Sequence, residues 1–135
     1  MPRFSDASKA NLLTCHCGLQ HLFNEVIKHY DCSVIDGHRG EADQNSYYLQ
    51  KKSQLQYPES KHNKTPSRAV DVAPYPIEWH KTDGVYTKEM IFFGGYVMGT
   101  AERMGINVRW GGDWNVNMQV GDNKFDDLAH FELRS

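Results

Sequence analysis

Apolar residues near the start of the chain recur at three- and four-residue steps: Leu12, Leu19, Leu22, Phe23, Val26, Ile27 and Tyr30. That spacing places them on one helical face, so the pattern predicts a helix from Ser5 to about Tyr30, capped by Ser5 or Ser8. Cys32 to Ile35 is a short β-prone run that ends at Asp36-Gly37. From Gly40 to about Gln54, polar residues interrupted by Ala42, Tyr47 and Tyr48 predict a second helix, on the surface. Tyr57 to Ser67 is rich in Pro, Lys, Asn and Ser and reads as a loop. Arg68 to Val72 alternates as a strand does and is stopped by Pro74 and Pro76.

Lys88 to Met104 predicts a third helix. Ile91, Phe92, Met98, Ala101 and Met104 give it apolar surface, while Gly94, Gly95 and Gly99 would admit a close neighbour. Gly105 suits the position just past its end. Ile106 to Trp110 reads as a strand leading into Gly111-Gly112-Asp113-Trp114. Asn115 to Asp126 is a polar loop, and Leu128 to Leu133 is a final strand. Helices and strands do not alternate regularly, which argues for an α+β fold: a small antiparallel sheet packed by about three helices. Residues 1–135 are expected to form a single domain.

Composition narrows the classes. The chain has 135 residues, 39% hydrophobic and 24% charged, as in an ordinary globule. A net charge of −2 gives no general attraction to nucleic acid or anionic lipid. No apolar run approaches the ~20 residues that span a bilayer, so no membrane insertion is expected. Met1-Pro2-Arg3-Phe4-Ser5-Asp6 lacks the apolar stretch of a secretory signal, which implies synthesis in a cytoplasm. A monomer is expected. Cys15, Cys17 and Cys32 are three in number, so at least one stays unpaired within the chain. Cys15-His16-Cys17 lies in the predicted helix, where residues two apart do not face each other, so reduced thiols are expected.

Strand alternation singles out the chemistry. Val70 and Val72 share one face of their strand, and Ala69 and Asp71 the other. In the last strand Ala129, Phe131 and Leu133 share a face opposite His130 and Glu132. Two strands thus each present a metal-competent side chain opposite an apolar face. His62 precedes the first of them, and Asp127 stands three residues before His130. Two imidazoles and a carboxylate leave a coordination position of Zn2+ open for water, with a spare acid to handle protons. His16, His21, His29, His38 and His80 read as ordinary polar histidines.

Ser60-x-His62 with Ala69-x-Asp71, Trp110-Gly111-Gly112-Asp113-Trp114 and Asp127-x-x-His130-Phe131-Glu132 resemble, in that order, the zinc D-Ala-D-Ala carboxypeptidase and L-alanyl-D-glutamate peptidase family. Gly37-His38-Arg39, with Gln44 beyond it, matches a further element of that pattern. The run from Ala69 to Pro76 is similar to phage endolysins of the family. The resemblance covers about Ile35 to Leu133 and implies a hedgehog/DD-peptidase-like fold. It implies zinc on His62, Asp71 and His130, and Asp127 as general base. It further implies Arg39 at the oxyanion or a substrate carboxylate, and Ser60 and Gln44 as substrate-binding residues. The implied activity is hydrolysis of the L-alanyl-D-glutamate bond in bacterial peptidoglycan, after a membrane-permeabilising helper has opened the way out. The alternatives are a D-alanyl-D-alanine carboxypeptidase or dipeptidase, and a non-catalytic zinc-stabilised wall-binding module.

The chain departs from the usual pattern in places. Ser67 stands where Gly is common, and Ala129 where many relatives have Pro. The spacer from His62 to Asp71 is longer than the common form. Asp113, Asp122, Asn123 and Asp126 are oxygen ligands of a kind calcium accepts, although acidic loops are usually just solvated. Asp113 and Glu132 are candidate acceptors for the second N–H of a metal-bound histidine, and Trp110 and Trp114 are candidate cleft walls.

Overall fold

The computed structural model describes residues 2–77, 88–120 and 127–134. His80, Asp122, Asn123 and Asp126 lie outside the described residues. Four α-helices and four strands follow in the order α1 (Asp6–Leu13), α2 (Cys17–Val26), β1 (Cys32–Asp36), α3 (Glu41–Leu49), β2 (Ala69–Pro74), α4 (Lys88–Met104), β3 (Val108–Gly111) and β4 (Asp127–Leu133). A single 3-10 turn, Lys61–Asn63, interrupts the loop before β2. The strands form one antiparallel sheet in the order β1-β2-β4-β3. The α+β architecture follows the sequence pattern, with one helix more than expected.

That extra helix comes from a break in the predicted Ser5–Tyr30 element. Ser5 caps α1 by accepting from the Ser8 amide. The chain then leaves helical geometry at Thr14–His16, because Ser67 bonds into it from a distance. The Ser67 amide donates to the Thr14 carbonyl at 2.9 Å, and the His16 amide donates to the Ser67 carbonyl at 2.8 Å. His16 restarts the helix, its Nδ1 accepting from the Gly18 amide at 3.0 Å. Cys15-His16-Cys17 therefore marks a junction rather than a helical stretch. Cys15 and Cys32 are buried, and burial raises their thiols to about 11 and about 12, so neither is a thiolate at neutral pH.

α3 ends at Leu49, short of the predicted Gln54. Lys51 takes a left-handed conformation (φ 62°), and the amides of Lys52 and Ser53 both turn back to the Tyr47 carbonyl. α4 has the predicted bounds, and Gly105 beyond it has φ 71°, a value open to glycine at little cost.

The apolar faces of β2 and β4 pack under α2 and α4. Phe131 lies at the centre, with Phe23 edge-on at 5.5 Å, Phe93 edge-on at 6.2 Å and Trp110 stacked at 6.5 Å between centroids. Of the three α4 glycines, only Gly94 meets a neighbour: a Cβ there would lie 2.1 Å from the Trp110 ring, whereas Gly95 and Gly99 face open space. Trp110 cannot step aside, being buried with its indole N–H donating to the Leu128 carbonyl at 2.7 Å. Gly94→Ala is expected to destabilise the fold by about 1–3 kcal/mol, with Gly95→Ala as the near-neutral control in chemical denaturation.

Candidate metal centre

Antiparallel register creates the centre. Asp71 of β2 pairs directly with His130 of β4, and on the other side with Asp36 of β1 across a bulge. Paired residues project from the same face of a sheet, so Asp36, Asp71 and His130 form one row. That row lies opposite the valines and Phe131 that face the helices. The 3-10 turn brings the remaining residue to it. Ser60 caps this turn, its Oγ accepting from the His62 amide at 3.2 Å, and Asn63 reciprocates on the Ser60 amide at 3.1 Å. The Arg39 amide donates to the His62 carbonyl, and Asn63 donates to the Arg39 carbonyl. The Gly37–Arg39 segment and the His62 turn are thereby strapped together. Gly37 has no room for a Cβ, which would come within 2.3 Å of the Asn11 carbonyl and the Thr14 hydroxyl.

The ring nitrogens are assigned by their partners. His62 Nδ1 lies 2.7 Å from the Gly37 carbonyl, an acceptor, so Nδ1 carries the proton and Nε2 presents a lone pair. His130 Nε2 lies 2.9 Å from Glu132 Oε1, which turns Nδ1 inward. Asp71 Oδ1 sits between the two rings, 3.4 Å from His62 Nε2 and 3.5 Å from His130 Nδ1. Its other oxygen accepts from Arg39 Nη2 at 3.2 Å. His62 Nε2 and Asp71 Oδ1 are buried and have no hydrogen-bond partner. Buried polar atoms are rarely left so, and these two converge on one point with a third donor beside them. The three ligand atoms lie within 4.8 Å of one another. Among the described residues this is the one group of such side chains that could hold a metal ion. Two imidazoles and a carboxylate, without thiolate, fit an open-sided divalent site of the zinc kind.

Electrostatics point the same way. Burial opposes ionisation of Asp71, but the two imidazoles outweigh it and hold the carboxyl well below the usual range. Burial would also lower His130, yet the carboxylate of Asp71 beside it and its hydrogen bond to Glu132 raise it to about 9. Glu132 is buried too, and His130, Lys61 and Arg109 bring it down to about 2. Asp127 behaves differently. Its Oδ2 is 3.9 Å from His130 Nδ1 and a third of its side chain reaches solvent. Enclosure by its neighbours, followed by the negative charge of Asp71, pushes it up to about 6. One carboxylate is therefore fixed in its charged form at the centre, and a second stands at its edge poised to exchange a proton.

The remaining sequence candidates are placed as follows. Arg39 is buried behind Asp71, donating also to Asp36 at 2.9 Å and to Gln44 at 2.9 Å, with its guanidinium 4.2 Å above the Tyr47 ring. Gln44 is 0% exposed, and its amide donates to Ser53 and Leu55. Gln44 was expected to bind substrate; in the structure its carbonyl oxygen accepts from Arg39 and its side chain is enclosed. Ser60 is likewise buried as the cap of the His62 turn. Glu132 is the acceptor for a histidine N–H, and Asp113 is not. Both Asp113 oxygens accept from loop amides, Asn117 at 3.1 Å and Met118 at 2.8 Å, which also argues against Asp113 as a calcium ligand. Trp110 is core, whereas the Trp114 ring lies 5.3 Å from that of His130. Asp36, Tyr47, Lys61 and Arg109 were not singled out by sequence. Asp36 reads there only as the end of a β-prone run at Asp36-Gly37, and Tyr47 as part of the second helix.

A four-stranded antiparallel sheet with helices on one face, and a His/Asp/His cluster flanked by an acid on the other, defines a small α+β hydrolase. The chain belongs to the phage L-alanyl-D-glutamate peptidase family, whose profile matches residues 1–134. The fold is similar to the crystal structure of the Serratia marcescens L-Ala D-Glu endopeptidase ChiX, with a TM-score of 0.69 and 27% sequence identity over 97% of this chain and 89% of that one. No curated protein matches the sequence.

Proposed function

We propose that the chain is a peptidoglycan hydrolase that cuts the L-alanyl-D-glutamate bond of peptide stems, using one zinc ion held by His62, Asp71 and His130. The observation that carries this reading is the buried, unpartnered pair His62 Nε2 and Asp71 Oδ1 facing His130 Nδ1, with Asp127 beside them. When bound by these three residues, zinc would supply Lewis acidity toward a carbonyl oxygen and toward water, whose pKa it would bring toward ~7. Asp127 removes the proton from the attacking water and later delivers it to the nitrogen of the departing D-glutamyl residue, so the proton balance closes on one carboxyl group. Glu132 fixes His130 with Nδ1 inward, and the Gly37 carbonyl fixes His62 with Nε2 inward. Arg39 steadies Asp71 rather than an oxyanion, since its guanidinium is enclosed by Asp36, Gln44 and Asp71. Among the described residues no helix is long and apolar enough to cross a membrane.

The test is mass spectrometry of muropeptides digested by zinc-loaded protein. The expected product is the disaccharide carrying a lone L-alanine, together with a peptide that begins at D-glutamate. Removal of only a terminal D-alanine would overturn the bond assignment in favour of a carboxypeptidase.

A further inference from the structure

Beyond the groups that hold or face the ion, four contacts close a ring. Arg109 of β3 stands opposite Glu132 of β4 in the sheet register, and its Nη2 donates to Glu132 Oε2 at 2.8 Å. The same guanidinium lies 5.1 Å from the Trp114 ring and donates through Nη1 to the Trp114 carbonyl at 3.4 Å. Trp114 packs on the His130 ring, and His130 bonds to Glu132. The ring therefore runs His130, Glu132, Arg109, Trp114 and back to His130. From Trp114 the chain continues into an exposed stretch with unusual properties. Val116 and Met118 both have positive φ (56° and 63°), costly for such residues, and Met118 is 93% exposed. The Asp113 carboxylate holds this conformation through the two amides noted above. Strain and exposed apolar side chains are thus maintained two and four residues beyond Trp114, whose ring lies against the proposed metal ligand His130.

We propose that Arg109 is a positioning residue for substrate: by gripping Trp114 it seats the 113–120 loop against His130, so that Trp114 and the apolar loop side chains wall one side of the cleft and receive the peptide stem. This rests on the peptidase reading above. Glu132 does not depend on Arg109 for its charge balance, because Lys61 Nζ also reaches Glu132 Oε2, at 3.2 Å, and donates to the Leu133 carbonyl. Arg109 can therefore be altered while the His130 partner keeps a cation. Lysine at this position retains the ion pair but not the flat guanidinium against the indole.

The experiment compares wild type, Arg109→Lys, Trp114→Ala and the double variant. It measures muropeptide kinetics, zinc content and hydrogen exchange of the 113–120 amides in metal-free protein. Arg109→Lys should bind zinc as wild type does and keep kcat within about twofold, yet raise KM roughly three- to tenfold. It should also speed exchange at Asn117 and Met118. Trp114→Ala should raise KM at least as much, and the double variant should be no worse than Trp114→Ala, since both changes remove one device. Wild-type KM and wild-type loop exchange in Arg109→Lys would overturn the proposal, as would losses that simply multiply in the double variant. A wild-type protein that releases no peptide from muropeptides would sink the peptidase reading instead, and the exchange data would still decide whether Arg109 seats the loop.

Discussion

Asp127→Asn is expected to lower kcat/KM for muropeptides by about 10²- to 10⁴-fold while leaving zinc uptake intact. The substitution keeps the shape of the side chain and removes its ability to accept and return a proton. Asp127 is well suited to that task because it is not locked in place. Asp71 is held ionised by two imidazoles and Glu132 by His130 with Lys61 and Arg109, whereas Asp127 is raised to about 6 by enclosure and by the charge of Asp71. A base works only when deprotonated, so activity should fall as pH drops through the Asp127 pKa. A bound cation favours the carboxylate, so the acid limb should lie at or below about 6. The asparagine variant should lose that limb from its residual pH profile. Full activity in Asp127→Asn would remove Asp127 from the chemistry, and loss of zinc would reassign it as a ligand.

The candidate cluster of His62, Asp71 and His130 could be picked out in the sequence because it required only side-chain chemistry and alternation. His130 and Asp71 lie opposite apolar faces of their strands, and no long-range fact is needed to see that. What brings them together is the register between β2 and β4, which pairs Asp71 with His130 and which neither strand reveals alone. The helix break at Thr14–His16 was hidden for a similar reason. Leu12 and Leu19 are seven residues apart, two helical turns, so the apolar rhythm runs across the break without a stumble. The break is enforced by Ser67, more than fifty residues away, at the position where the sequence departs from the family's glycine.

Gln44 is instructive in another way. The sequence shows only that it follows Arg39 by five residues; in the structure Arg39 Nη1 donates to it at 2.9 Å. Whether such a residue faces substrate or faces inward depends on what lies behind it, here Ser53 and the Leu55 carbonyl in a chain that turns back after α3. Arg39 follows the same logic. A guanidinium near a catalytic centre suggests an oxyanion, but Asp36 is aligned with Asp71 across the β1 bulge and claims it. Two carboxylates side by side need a shared cation, and Arg39 is that cation.

Chelation should abolish peptide release, zinc should restore it, and His62→Ala should respond to neither. The geometry of the centre supports this expectation. An imidazole nitrogen and a carboxylate oxygen, both buried and without a hydrogen-bond partner, converge there, and a bound ion would satisfy both at once. Zinc at a hundredfold excess over its dissociation constant should stabilise the fold by about 2.7 kcal/mol, a rise in Tm of roughly 10 °C for a chain of this size. His62→Ala removes one ligand and should flatten that response even if its metal-free Tm is little changed. Binding should also be linked to protons. His130 is held at about 9 by Asp71 and Glu132, so in metal-free protein near pH 7.5 it is charged, and coordination must expel that proton. Calorimetry in buffers of different ionisation heat should therefore count at least one proton released per zinc. Apparent affinity should rise about tenfold per pH unit on approach to pH 9 and level off above it, because the competing proton is then gone. Zinc uptake without proton release, or a zinc-dependent Tm that survives in His62→Ala, would place the ion elsewhere.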